Sequence, residues 1–167
     1  MPKQRTQILD HRQIDQKITR IAHQIYENNF EEAELILVGI EPRGAILAQR
    51  LTALLRDLAP MEIRYLPLSV NKEAPLSEPF ECALTTEEAE GKTVVLVDDV
   101  LNTGKVLMHA AGHLLDLRIK RLQTVCLVDR KHRHFPIRAD YEGLTLATTL
   151  QEHISVEFGE TDSAWLE

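Results

Sequence analysis

Long hydrophobic runs and cysteines are scarce in this sequence, and both absences limit what the protein can be. No apolar run approaches the roughly 18 residues that a membrane-spanning helix needs, and segment 1–7 lacks the apolar stretch of a signal peptide. The sequence has only two cysteines. Cys126 lies in an apolar run, as a small core residue does, and Cys82 falls in a predicted loop. We therefore expect a cytoplasmic chain that has no membrane segment and no disulfide.

Basic charge is also in short supply, especially in the last part of the chain. The formal net charge is −7. No Lys or Arg follows Arg138, whereas seven acidic residues do: Asp140, Glu142, Glu152, Glu157, Glu160, Asp162 and Glu167. Non-specific binding of nucleic acids usually needs a net basic surface. The charge therefore argues against this class of function.

Apolar residues are abundant and follow a regular pattern. They make up 44% of the 167 residues, which suits one domain with a single core over 1–167. Apolar runs of strand length alternate with segments in which apolar residues recur at helical spacing. This alternation predicts an α/β fold with a mostly parallel central sheet flanked by helices. The predicted strands are about 34–40, 61–70, 93–97 and 122–128, with short ones at 145–149 and 154–158, and the predicted helices are about 11–28, 46–58 and 104–117.

Segment 71–92 breaks this pattern. It contains two prolines, six glutamates and two lysines, without clear periodicity. Loops of this length in compact domains often serve as lids over a site. We predict a flexible lid loop here, with room for a short hairpin inside it.

The most informative segment is 94–106, in which a buried strand delivers Asp98 and Asp99 to a loop that continues as Thr103-Gly104-Lys105. In open α/β sheets, ligands bind beyond the carboxyl ends of the strands. Backbone N–H groups at a helix start, with a glycine that allows close approach, form a site for phosphate. Two adjacent carboxylates can accept hydrogen bonds from the two hydroxyls of a ribose. The segment therefore predicts a ribose 5-phosphate site.

A simpler interpretation is that the two aspartates only cap a strand-to-helix turn, where Asp is common. The whole pattern of four apolar residues, two aspartates and a Thr-Gly pair favours the ligand site. The segment is not a Walker A loop, because the spacing Gly-x-x-x-x-Gly-Lys-Ser/Thr is missing.

This segment resembles the phosphoribosyl pyrophosphate signature of type I phosphoribosyltransferases. Within that superfamily the chain is similar to the pyrimidine operon attenuator/uracil phosphoribosyltransferase family. The resemblance covers about 5–156 and rests on Thr19–His23, Val38–Gly44 with Leu47-Ala48, Leu127–Arg130, His132-Arg133 and Pro136–Tyr141. It implies a type I phosphoribosyltransferase fold with a lid loop and a small C-terminal hood, and a homo-oligomer.

The resemblance also implies roles for individual residues. Phosphoribosyl pyrophosphate would bind to the segment Asp98, Asp99, Val100, Leu101, Asn102, Thr103, Gly104, Lys105 and Val106. Its pyrophosphate would bind to Glu41, Pro42, Arg43 and Gly44. Catalytic roles would fall to Asp98, Asp99 and Lys72, and contacts with the base to Val128, Asp129 and Arg130. Mg²⁺ would be held mainly by the ligand's own oxygens and by no direct set of protein ligands, which agrees with its preference for oxygen ligands and retained waters.

Three positions depart from the family pattern. Val106 replaces a hydroxyl residue, which removes one phosphate hydrogen bond worth about 1 kcal/mol. Asn102 stands where purine-type relatives carry an Asp, and Asn cannot take a proton at neutral pH. In the lid, Lys72 keeps a positive charge but lacks the bidentate geometry of Arg. Binding is therefore predicted more firmly than turnover.

The predicted function is transfer of ribose 5-phosphate to a nucleobase, with uracil favoured. One alternative is a nucleotide-sensing, RNA-binding regulator of pyrimidine genes, for which Thr19, His23, Arg133 and Arg138 would form the RNA-facing surface. The competing interpretation is that Arg20 and His23 are simply solvated positions on an amphipathic helix. A further alternative is a purine salvage phosphoribosyltransferase, which Asn102 disfavours.

Overall fold

The computed structural model describes residues 4–167 and shows one α/β domain with two sheets. Five parallel strands form the central sheet in the order β3-β2-β4-β5-β6, and three antiparallel strands form a smaller sheet in the order β1-β8-β7. The elements are β1 (Thr6–Leu9), α1 (His11–Asn29), β2 (Glu34–Ile40), α2 (Arg43–Leu58), β3 (Glu62–Leu68), α3 (Thr86–Ala89), β4 (Thr93–Leu101), α4 (Lys105–Leu115), β5 (Arg121–Asp129), β6 (Tyr141–Thr145), β7 (Ile154–Glu157) and β8 (Ser163–Leu166). The predicted fold class is confirmed.

Alternating side chains of the central strands build a core on each face of the sheet. Leu35 and Leu37 of β2 pack with α1 and α2, whereas Ile36 and Val38 pack with α4. All four side chains are fully buried. Because both faces are covered, the strands are continuous apolar runs, as parallel strands usually are.

The first long helix begins where its capping residues predict. The Asp10 side chain accepts a hydrogen bond from the Gln13 N–H at 2.8 Å, and the Gln13 side chain accepts one from the Asp10 N–H at 2.9 Å. This capping box satisfies donors that a helix start otherwise leaves free. The predicted helix 11–28 is confirmed and extends to Asn29.

The smaller sheet forms the hood and uses both ends of the chain. We predicted only the strand near 154–158, whereas β1 and β8 were not predicted. Asp162, just before β8, is almost fully buried and binds both terminal nitrogens of Arg50 on α2. This ion pair holds the pKa of the Asp162 carboxyl below its usual range. The hood is thereby attached to helix α2 beside the central sheet.

Two predicted strand boundaries were wrong. Strand β4 continues to Leu101 instead of ending at 97, because β5 pairs with it as far as Leu101 and Asp129. Strand β6 covers Tyr141–Thr145 and not 145–149, because the buried Tyr141 pairs with Val125 at the start of that ladder.

The lid segment 71–92 is largely irregular, as predicted, but not throughout. It includes the short helix α3, and an antiparallel bridge between Ser69 and Glu81 closes its first part. Cys82 and Cys126 are free thiols. No helix in the part of the chain that the structure describes is long and apolar enough to cross a membrane.

Candidate active site

A cleft of about 330 Å³ lies at the carboxyl end of the central sheet. Strand β4 and the start of α4 form its floor, and the hood strand β7 faces them. The residues that line the cleft are Arg43, Lys72, the whole segment Asp98–Leu107, and His153–Val156. The predicted ribose phosphate segment and the predicted lid lysine therefore share one cavity.

Asp98 and Asp99 lie inside β4 and not after it, with 5% and 8% of their surface exposed. The Lys72 ammonium lies 3.1 Å from Asp98 Oδ1 and 3.8 Å from Asp99 Oδ1. The guanidinium of Arg43 lies 3.8 Å from Asp99 Oδ2. The acid pair is thus faced by two cations, one from segment 71–92 and one from the start of α2.

Burial of Asp98, reinforced by the negative charge of Asp99, raises the pKa of the Asp98 carboxyl to about 8. Lys72 acts in the opposite direction but does not compensate for the burial. A carboxylate that is costly to ionise gains from any further donor or cation that reaches it. The pair is therefore suited to accept hydrogen bonds from ligand hydroxyls.

The loop after β4 turns into α4 through Gly104, which has a φ of +86°. This left-handed conformation favours glycine, and a Cβ here would lie 2.7 Å from Cγ2 of Ile137. The Thr103 hydroxyl accepts a hydrogen bond from the Lys105 N–H at 3.3 Å. Val106, where the sequence suggests a missing hydroxyl, packs partly against the core under α4.

The last residue of the loop 41–44, Gly44, lies against the acid pair. A Cβ on Gly44 would lie 2.6 Å from the Val97 carbonyl oxygen and 3.1 Å from Asp98 Oδ1, so a glycine is needed for the close approach. Arg43 donates through Nε to the Val156 carbonyl of β7 at 2.9 Å. Glu41 and Pro42 are exposed and do not line the cleft.

The predicted base-contacting segment Val128–Arg130 does not line this cleft. Val128 is fully buried, and the Arg130 side chain donates to the Thr148 hydroxyl and the Thr149 carbonyl at 2.6 and 2.9 Å. The Asp129 carboxylate accepts from Arg133 at 2.5 Å. These side chains are committed to contacts within the protein.

The hood residues His153–Val156 line the cleft, and sequence reasoning did not identify them. The backbone of His153 exchanges two hydrogen bonds of 2.8 Å with Glu167 near the end of the chain. A strand was predicted at 154–158, but its position opposite Asp98 depends on contacts between distant segments. No local motif could have indicated it.

Comparison with known proteins shows which family the chain belongs to. The family model described as phosphoribosyl transferase domain matches residues 4–161. The chain is 37% identical to the bifunctional protein PyrR of Pelotomaculum thermopropionicum, over 97% of this chain and 93% of that protein. It is 40% identical to the bifunctional protein PyrR of Haemophilus ducreyi, over 89% and 87%. It is 39% identical to the pyrimidine operon regulatory protein of Lactococcus lactis, over 95% and 92%.

Solved structures with the same fold are more distant in sequence. The hypoxanthine phosphoribosyltransferase of Trypanosoma cruzi superposes with a TM-score of 0.73 at 20% identity, over 89% of this chain and 84% of that one. A hypoxanthine-guanine phosphoribosyltransferase of Bacillus anthracis gives a TM-score of 0.66 at 19% identity, over 84% and 82%. These likenesses support the fold alone. Because the family model spans nearly the whole sequence and relatives at 37–40% identity span it too, the chain belongs to the phosphoribosyl transferase domain family.

Proposed function

We propose that this protein transfers ribose 5-phosphate from phosphoribosyl pyrophosphate to uracil and releases pyrophosphate. The observation that carries the proposal is the juxtaposition, in one cleft, of the buried pair Asp98-Asp99 and the amide-lined turn at Thr103-Gly104. This pairing suits a sugar hydroxyl pair at one end and a phosphate at the other. The relative that is named a pyrimidine operon regulatory protein favours a pyrimidine as the acceptor.

Each end of the ligand has partners of suitable chemistry. Asp98 and Asp99 would accept hydrogen bonds from the ribose hydroxyls, and the backbone of 103–106 would donate to the 5-phosphate. Arg43, backed by the tight approach of Gly44, would provide the countercharge for pyrophosphate, and Lys72 would lie beside it. Val128–Arg130 would contribute to base contacts through main-chain groups only, since its side chains have other partners.

Mg²⁺ is the proposed cofactor. In the described residues 4–167, no three His, Cys, Asp or Glu side chains are grouped so as to hold a metal ion. The acid pair offers hard oxygen donors whose ionisation a cation would favour, so these residues fit an ion that takes most of its ligands from the substrate and water. When bound, the ion supplies neutralisation of the pyrophosphate charge.

The reaction is a displacement at C1 of the ribose. The bond from C1 to the pyrophosphate oxygen breaks, a bond from C1 to a base nitrogen forms, and the proton of that nitrogen passes to solvent or to the departing pyrophosphate. Positive charge develops on the sugar while the leaving group gains negative charge. The residues of this chain therefore act by positioning and by electrostatic stabilisation.

A second candidate function is regulation of pyrimidine genes, in which the same pocket senses a nucleotide. The Lactococcus lactis relative is named a pyrimidine operon regulatory protein, which favours this role. Val106 and Lys72 both depart from the family pattern. The residues of the cleft therefore support ligand binding more firmly than rapid turnover. A purine enzyme is disfavoured, because Asn102, which lines the cleft, carries no carboxylate.

The test is to incubate the protein with phosphoribosyl pyrophosphate, Mg²⁺ and one nucleobase at a time. Nucleotide formed only from uracil is the expected result. Tight nucleotide binding without product would favour the regulator, and product from hypoxanthine or guanine would overturn the choice of base.

A further inference from the structure

The carbonyl groups of the phosphate loop are held from behind by a second loop. Arg133 Nη1 donates to the Asn102 carbonyl at 2.5 Å and contacts the Leu101 carbonyl at 3.5 Å. The Leu101 carbonyl also accepts from the Arg130 N–H at 3.0 Å. The Thr103 carbonyl accepts from the N–H groups of both loop residues that follow Arg133, at 2.8 and 3.0 Å. Three consecutive carbonyls of the phosphate loop are thus tied to loop 130–135.

This arrangement fixes where the amide groups of the phosphate loop point. A trans peptide is planar, so the N–H of one residue points away from the carbonyl of the residue before it. With the carbonyls of Asn102 and Thr103 turned toward loop 130–135, the N–H groups of Thr103 and Gly104 are turned to the opposite side. Thr103 and Gly104 line the cleft, whereas Arg133 does not. Within the part of the chain that the structure describes, these two N–H groups donate to no protein acceptor.

The Arg133 side chain is itself held in place. Its Nη2 donates to Asp129 Oδ1 at 2.5 Å, and Asp129 is 6% exposed. The same carboxylate oxygen accepts from the Lys131 N–H at 2.9 Å, and Lys131 has a φ of +55°. Cδ of Arg133 also lies 3.3 Å from where a Cβ of Gly104 would be, so the side chain packs directly against the turn.

We propose that Arg133 is a positioning residue that orients the amide groups of Thr103 and Gly104 toward a ribose 5-phosphate. It does not touch the ligand and acts through the Asn102 carbonyl, with Asp129 as its anchor. A planar guanidinium suits this task, because it serves a carbonyl with one nitrogen and a carboxylate with the other. The inference rests on the proposed function, since it assigns that phosphate to this turn.

The test compares Arg133→Gln and Arg133→Lys with the matched control Arg138→Gln. Arg138 lies in the same connection between β5 and β6, is exposed, and makes no side-chain hydrogen bond within residues 4–167. The control therefore removes the same charge without removing a contact to the phosphate loop. Binding of ribose 5-phosphate and of pyrophosphate is measured by calorimetry. In Arg133→Gln we expect the Kd for ribose 5-phosphate to rise about tenfold, as loss of one charge-assisted hydrogen bond predicts. Pyrophosphate should bind as in the wild type, because its loop 41–44 is untouched.

Arg133→Lys should restore little of this affinity, because an ammonium cannot hold the carbonyl and Asp129 in the same plane. In the ligand-free protein, the backbone amide NMR signals of Thr103 and Gly104 should shift in both Arg133 variants and stay in place in Arg138→Gln. An Arg133 variant that fails to fold would also lose pyrophosphate binding, and the other Arg133 variant then provides the comparison with Arg138→Gln.

Equal ribose 5-phosphate affinity in Arg133→Gln and Arg138→Gln would overturn the inference. Unmoved amide signals in the ligand-free Arg133 variants would also overturn it. If the wild type itself bound no ribose 5-phosphate, the proposed function would fail instead, while the amide signals would still show whether Arg133 orients the turn.

Discussion

The ammonium of Lys72 lies 3.1 Å from Asp98 Oδ1, so the lid loop places a cation against a carboxyl group buried in the central sheet. The Asp98 side chain is 8% exposed and Lys72 is 36% exposed. At the proposed site, a ribose hydroxyl would approach the same carboxyl group. The contact between Lys72 and Asp98 can be tested from either partner.

Asp98→Asn should make the ligand-free protein more stable than the wild type, and this difference should grow as the pH rises. Burial raises the pKa of Asp98 from 3.8 to about 8, so the folded state holds a proton that the unfolded state has already lost in this interval. Stability from this group is therefore full below the unfolded pKa and is lost as the pH rises toward 8. Asn carries no such charge. The Tm difference between Asp98→Asn and wild type should grow across this interval and reach about 3 °C or more, the shift that about 1 kcal/mol gives in a chain of this size.

A Tm difference that stays flat with pH would contradict the raised pKa. The same variant should lose stabilisation by phosphoribosyl pyrophosphate, because a ribose hydroxyl then loses a charged acceptor. Retained stabilisation would remove Asp98 from the proposed ribose site.

Lys72→Met should destabilise the ligand-free protein more at high pH than at low pH. Lys72 lowers the pKa of Asp98, so its removal leaves the ionised acid pair with less countercharge. The matched control is Lys92→Met. Lys92 is 39% exposed and pairs with Glu34 far from the cleft. Thermal unfolding at about pH 6 and about pH 8.5 should show a pH-dependent loss only for Lys72→Met, and equal losses in both variants would contradict the coupling.

Gly104→Ala should impair phosphate binding and stability together. The φ of +86° is unfavourable for alanine, and the new Cβ would lie 2.7 Å from Ile137 Cγ2. We expect a loss of about 1–3 kcal/mol in the free energy of unfolding and a markedly weaker Kd for ribose 5-phosphate. The control is Gly112→Ala, inside the helix that Gly104 precedes, where a new Cβ would meet nothing within 4 Å. It should stabilise the protein slightly, by up to about 1 kcal/mol. Similar effects of the two changes would show that the turn at Gly104 has no special role.

Val106→Thr should strengthen binding of ribose 5-phosphate. It restores a hydroxyl donor next to the proposed phosphate site, which is worth about 1 kcal/mol or roughly fivefold in Kd. Because Val106 is packed partly against the core, the same change should lower Tm modestly. Val106→Ala removes the packing without adding a donor and should give no gain in affinity. A Thr variant that binds no more tightly than the Ala variant would exclude a phosphate contact at this position.

The sequence was sufficient to predict those features whose cause is local. The apolar runs at 34–40 and 93–97 predict buried parallel strands, and Asp98, Asp99, Thr103 and Gly104 predict a ligand-binding turn, because the chemistry lies within one short segment. All four residues do line the cleft or its turn. Lys72 was named from the lid, and the structure places it at the same acid pair.

Other features depend on contacts between distant segments and could not be predicted in this way. Strand β1 has four residues, and it exists because β8, more than 150 residues away, pairs with it. His153 reaches the cleft for a similar reason, since its backbone is fixed by Glu167. Arg133 was identified only through a resemblance, as part of an RNA-facing surface, whereas its contact with the Asn102 carbonyl is visible only in three dimensions.

The pairing of Thr6 with Leu166 in the hood has a practical consequence. Strand partners lie about 5 Å apart, so Thr6 and Leu166 are neighbours in the folded domain, and a short linker could join these two strands. New ends could then be opened in the irregular part of the lid, between the bridge residues Ser69 and Glu81, without cutting any strand of either sheet. Such a circular permutant should keep both sheets. Lys72 would then lie near a new chain end, and the length of the segment that carries it could be varied by design.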